Sequence, residues 1–122
     1  MGETIIRTGG SKAFHTRERC VIREIANSPA ITEFSLAEAR VEAGVTTELH
    51  CLGVDEWYVI SRGTGRVEVN GGEPLEVGPG DIVVIPAGEA QRITNDGDGD
   101  LVFTCVCQPR FTADCYEPLE DQ

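Results

Sequence analysis

Between Gly44 and Gly63 the chain reads GVTTELHCLGVDEWYVISRG, two alternating runs separated by the turn Gly53-Val54-Asp55 and closed at each end by a glycine. A period of two belongs to strands, whose successive side chains face opposite ways. Thr47, Leu49 and Cys51 therefore share one face, and Glu48, His50 and Leu52 the other. In the second run Glu56, Tyr58 and Ile60 stand opposite Trp57 and Val59. If this stretch faces an interior, His50 and Leu52 line it together and Glu56 shares a wall with Tyr58. Cys51 then points away, which argues against an adjacent Cys–His catalytic pair.

The flanking sequence supplies pairing partners. CVIREIA is a short β-like run within Ala13–Ala26, broken by Asn27-Ser28-Pro29, and is expected as an outer strand. FSLAEARVE, from Phe34 to Glu42, could be scored as an amphipathic helix, but the Gly44 turn that follows favours a strand. RVEVN alternates and ends in Asn70-Gly71, a strong hairpin signal. Pro79-Gly80-Asp81 turns the chain into IVVI, a continuous apolar run expected to be buried on both faces. Gln91, Ile93 and Asn95 share a face, and LVFTCVC is the last clear strand. The acidic turn Asp96–Asp100 lacks the glycine and the later bidentate Glu of a calcium loop, so it reads as a solvated hairpin turn.

The spacing in the first stretch is Gly44, five residues, His50, one residue, Leu52, three residues, Glu56, six residues, Gly63. A second stretch, GDIVVIPAGEAQRITN, places Gly80, Pro86, Gly88, Gln91 and Asn95 in a matching order. Together the two stretches resemble the paired motifs of the cupin superfamily. The resemblance implies an all-β fold, a double-stranded β-helix or jelly roll, as in small single-domain cupins. It also implies a metal held by two His and one Glu from the first motif and one His from the second. Here His50 and Glu56 match, whereas Leu52 and Gln91 occupy the other two positions. The implied metal set is thus His50, Glu56 and Gln91, able to take a divalent ion such as zinc, iron, manganese or nickel. Family habit further implies a homodimer, with N-terminal strands pairing between subunits.

At 122 residues the chain suits one domain. We expect a flexible segment over residues 1–12 and a single barrel over 13–122, with an irregular tail from about 108 in which Pro109, Phe111 and Tyr116 pack across a barrel end. The formal net charge of −11 repels polyphosphate, which argues against nucleic acid and anionic membranes as partners. No apolar run approaches the roughly 20 residues that span a bilayer, and Met1–Gly10 lacks the apolar core of a signal peptide. A cytoplasmic location is the resulting expectation. The five cysteines are odd in number with no CxxC pair, which suits free thiols. Cys105 and Cys107 read as two inward positions on one strand rather than a metal pair. His15 lies outside both motifs and reads as a surface or dimer-edge residue.

Walker, Rossmann, GxSxG and HExxH signatures are all missing, and two histidines exclude any site needing three imidazoles from one chain. Two classes of function follow. One is a metal-dependent enzyme of dioxygenase or isomerase type acting on a small organic molecule, in which Glu56 is a metal ligand or, alternatively, a general base with Tyr58 as a donor if the pocket raises its pKa. The other is a non-catalytic module that binds a small molecule after losing its metal, with His50 and Glu56 paired and Gln91 orienting the ligand.

Overall fold

The structure, a computed structural model, describes residues 4–120; the ends of the expected mobile segment and tail, 1–3 and 121–122, lie outside the described residues. The strands are β1 (Phe14–His15), β2 (Val21–Ser28), β3 (Ile31–Val41), β4 (His50–Leu52), β5 (Asp55–Arg62), β6 (Gly65–Val69), β7 (Leu75–Val77), β8 (Ile82–Ile85), β9 (Gln91–Thr94), β10 (Leu101–Gln108) and β11 (Tyr116–Pro118). They form two antiparallel sheets facing each other, in the orders β1-β2-β3-β10-β5-β8 and β11-β4-β9-β6-β7. A single turn of 3-10 helix, Ala113–Cys115, leads into β11. Among the described residues no helix is long and apolar enough to cross a membrane.

The alternation read from the sequence organises the core. On β5 the side chains of Glu56, Tyr58 and Ile60 are buried, while Val59 is exposed. On β10 Leu101, Phe103 and Cys107 turn inward. Tyr58, Ile60, Leu101 and Phe103 join Val41, Val67, Ile85 and Ile93 in one apolar cluster between the sheets. Burial of each large aliphatic side chain contributes about 1.5–3 kcal/mol. Phe34–Val41 is strand, as the Gly44 turn suggests, and β3 begins three residues earlier, at Ile31. At the Asn70-Gly71 hairpin both residues have positive φ, 56° and 73°, which matches the right-handed twist of β6 and β7.

Three expectations change. IVVI is not buried on both faces: Val83 and Ile85 turn inward, but Ile82 and Val84 are 60% and 61% exposed. β8 is the edge strand of its sheet, and only the inner face of that sheet is covered by the other. The alternation before His50 also stops short, since β4 is only three residues long and Thr47 turns inward to exchange hydrogen bonds with the backbone of Ile93. Finally, the tail is less irregular than expected. β11 pairs antiparallel with β4, setting Tyr116 opposite Leu52 and Pro118 opposite His50.

Two of the motif residues act as fasteners. Asn95, fully buried, donates from Nδ2 to the carbonyls of Val41 and Gly99 (2.8 Å each) and accepts from the Gly97 amide (2.9 Å). Gly63, at φ 83°, lies against β10 so closely that a Cβ would stand 2.5 Å from the Asp100 carbonyl oxygen and 2.9 Å from Leu101 Cα. Both contacts are with backbone, which cannot swing away. Gly63→Ala is therefore expected to lower the free energy of unfolding by at least about 2 kcal/mol, read from urea denaturation; a loss within about 0.5 kcal/mol would contradict the close crossing of β5 and β10.

Candidate functional site

Between the sheets lies a cavity of about 350 Å³. His50 reaches it from β4 in one sheet and Glu56 from β5 in the other, with Leu52 and Tyr58 beside them. The first motif thus delivers its two polar groups to one space. Leu52, where the resemblance leads one to expect a second His, adds an apolar wall that is 3% exposed.

His50 is held on three sides. Its Nδ1 lies 2.7 Å from the backbone carbonyl of Glu48. A carbonyl only accepts, so Nδ1 carries the proton and Nε2 bears the lone pair in the neutral ring. The ring stacks on Tyr116, with centroids 4.7 Å apart and planes 15° apart. Nε2 faces Glu18 Oε2 at 3.5 Å. Burial holds the imidazole below its usual range, opposed by its bond to the Glu48 carbonyl.

Glu18 was not anticipated. It sits in the turn between β1 and β2, where Arg19 takes positive φ (68°) and Thr16 and Cys20 close the loop through backbone hydrogen bonds. The polar run HTRERC gives no periodicity to mark one residue as inward, so only the folded turn reveals it. Burial, and next the charge of Glu48, push the Glu18 carboxyl up to about 7.

Glu56 is 6% exposed. Burial pushes its carboxyl up to about 7; the Gln91 amide favours the carboxylate, while the charge of Glu18 opposes it. Its Oε2 accepts from the Cys107 thiol at 3.8 Å, and its Oε1 makes no full hydrogen bond among the described residues. Two carboxyls on one cavity are thus both raised well above the ordinary carboxylate range, each chiefly by burial.

Gln91 pairs in register with His50 and is fully buried. The Tyr58 hydroxyl donates to its Oε1, and its Nε2, which makes no full hydrogen bond among the described residues, is the donor that favours the Glu56 carboxylate. Tyr58 also packs on Phe103, with ring centroids 4.5 Å apart. Burial, followed by the charge of Glu56, raises the phenol well above its usual range. Tyr58 is therefore a neutral donor already committed to Gln91.

The residues do not fit the metal that the resemblance implies. The one Gln91 atom able to bind an ion accepts from Tyr58, and its other polar atom is an amide nitrogen, a donor. His50 Nε2 is turned to Glu18. Among the described residues no group of three or more His, Cys, Asp and Glu side chains is arranged to hold a metal ion.

The remaining polar groups are structural or inert. Glu48, also buried, accepts from Tyr116 and from Arg17 at 3.1 Å. Burial works against its ionisation, but those two donors outweigh it and hold the carboxylate below its usual range. Cys105 and Cys107 face the cavity, as their two-residue spacing on a strand suggests, and Cys20 joins them. Burial, followed by the charge of Glu18 for Cys20 and of Glu56 for Cys105 and Cys107, keeps all three as protonated thiols, so none is an activated nucleophile. His15 is exposed on β1, away from this cluster.

Comparison with known proteins agrees with this architecture. A family model described as the cupin domain matches residues 37–107. The chain belongs to the cupin family. No curated protein matches it in sequence. Among solved structures it is similar to a predicted oxalate decarboxylase from Thermotoga maritima, at 22% identity and TM-score 0.75, covering 87% of this chain and 99% of the other. It is also similar to the polyketide cyclase RemF from Streptomyces resistomycificus, at 22% identity and TM-score 0.78 over 100% of this chain and 88% of the other. A third similarity is to Pac13, a nucleoside dehydratase, at 13% identity and TM-score 0.78 over 98% and 92%. At these identities the likeness is one of fold.

The displaced carboxyl in this cupin sets a pH signature. Because the folded-state value of Glu56, about 7, lies above its ordinary 4.5, the fold takes up protons that the unfolded chain releases. Stability is then fully present at low pH and declines as pH rises through 4.5 to 7. Glu56→Gln, which stays neutral, is expected to gain about 1–3 kcal/mol relative to the wild type between pH 5 and pH 8 in urea titrations. An unchanged difference at the two pH values would refute the assignment.

Proposed function

We propose that this cupin is an enzyme that moves protons on a small organic molecule without a metal, using Glu56 as general base and the Glu18–His50 pair as general acid. The observation that carries this reading is the placement of two carboxyls, each displaced to about 7, on one cavity with an imidazole of defined tautomer between the sheets. General acid–base catalysis works best with groups whose protonation is balanced near the working pH, and two such carboxyls divide the roles of acid and base.

The proton balance is simple. The Glu56 carboxylate takes a proton from a carbon next to a carbonyl of the bound molecule. A protonated Glu18, facing His50 Nε2, gives a proton to the carbonyl oxygen. The net change is a keto-to-enol shift, with no oxidant or leaving group required. Were a hydroxyl set β to that carbonyl, the same pair would serve loss of water. The fold is known to host a nucleoside dehydratase and a polyketide cyclase, so this class of chemistry lies within its range. Tyr58 positions Gln91 and thereby the wall behind Glu56, rather than donating to the ligand.

The isomerase class is kept, and the dioxygenase class, which would need a redox metal, is set aside because the donor set does not suit one. The test is deuterium uptake from D2O into a panel of enolisable ring ketones, followed by mass spectrometry on protein dialysed against EDTA. Incorporation that survives dialysis and falls at least about 100-fold in Glu56→Gln supports the proposal. Incorporation restored only by added metal, or equal in the variant, overturns it, and a failure to label any compound returns the site to a non-catalytic binding module.

A further inference from the structure

We infer that the cavity selects an uncharged, ring-bearing molecule with a hydroxyl or N–H donor directed at Glu56, and rejects organic anions. This rests on the proton-transfer reading of the same site and names the class of molecule it acts on.

The charges facing the cavity are mostly negative. Glu56 stands inside, Glu18 is part-buried with its side chain 21% exposed, and Glu24 lies at the rim, where Asn27 donates to it at 2.8 Å. Arg17 alone among the described residues brings a formal positive charge to the lining, and its guanidinium is 56% exposed and bridged to Glu48 at 3.1 Å. A bound carboxylate or phosphate would meet two carboxyls with no free cation to offset them, which like-charge repulsion in a poorly solvated site strongly disfavours.

An acidic cluster alone does not specify a ligand; the unsatisfied atom does. Glu56 is more than nine-tenths buried, lines the cavity, and has an oxygen, Oε1, that makes no full hydrogen bond among the described residues, the Gln91 amide only favouring the carboxylate. A buried acceptor without a full hydrogen bond is costly, so a donor brought by the ligand stabilises the complex. An ammonium donor would hold Glu56 ionised and remove its use as a proton carrier. A neutral O–H or N–H on Oε1 leaves the proton transfer to Oε2, whose contact with the Cys107 thiol is 3.8 Å long.

The shape of the walls supplies the rest. Phe14 and Phe111 lie toward the mouth, Phe103 backs Tyr58, and the stacked His50–Tyr116 pair faces the same space. Flat apolar walls of this kind favour a planar ring, and a cavity of about 350 Å³ has room for a fused pair.

Three probes of one shape separate the terms: 2-naphthol, which is uncharged with a donor, 2-methoxynaphthalene, which lacks the donor, and 2-naphthoate, an anion. Calorimetry at pH 7 is expected to find 2-naphthol bound at least tenfold more tightly than either. In Glu56→Leu the preference over 2-methoxynaphthalene should shrink to about twofold, while binding of 2-methoxynaphthalene itself reports that the cavity is still formed. Naphthoate binding as tightly as naphthol, no binding of naphthol, or a donor preference unchanged in Glu56→Leu would each overturn the inference. The wild-type comparison decides the ligand class even if the variant fails to fold. Deuterium uptake is read separately, so naphthol selectivity without uptake removes the chemistry and leaves the ligand class standing, and uptake with naphthoate bound equally well does the reverse.

Discussion

A carboxyl enclosed between two apolar sheets has no comfortable state. Ionised, it lacks water; protonated, it spends a donor and an acceptor that the walls do not satisfy. Glu56 is such a group, Glu18 on the same cavity is largely but not wholly shielded, and the arrangement around them makes both states accessible. The Gln91 amide and the Cys105 and Cys107 thiols lean toward the ionised form of Glu56, while burial and the neighbouring Glu18 lean against it. The result is a group near balance, and that balance rather than any single contact gives the cavity its chemical character.

The barrel supports this by supplying the two groups from different sheets. His50 comes from β4 and Glu56 from β5, strands joined by the short turn Gly53-Val54 yet placed on opposite walls. Closure depends on backbone approaching backbone, which is why Gly63 lies against Asp100 and Leu101 and why Asn95 spends all its polar atoms on main chain. Rigid surroundings matter here because a looser barrel would admit water, and water would return both carboxyls to ordinary acidity.

Much of this could be read from the residues. The alternation from His50 to Ile60 correctly divides inward from outward side chains, and the spacing of the two motifs places His50, Glu56 and Gln91 in one neighbourhood. What could not be read were features set by contacts distant in sequence. Glu18 lies in a turn with no periodic pattern, and its inward aim depends on Arg19 adopting a left-handed backbone. IVVI carries no polar residue to show which face is open; only its position at a sheet edge decides that. Gln91 illustrates a subtler limit. Its position follows from the motif, but the partner of its oxygen, Tyr58, belongs to a strand on the opposite sheet, and that partner changes what the amide can bind.

The pairing of β11 with β4 ties the end of the described chain to the imidazole. Tyr116 lies flat on His50 and the next residues run alongside its strand. A fusion partner, truncation or modification close to this segment would thus be felt at the ring within one contact. Material prepared with an extension there reports on a perturbed site, whereas an extension ahead of Phe14 begins outside the sheets.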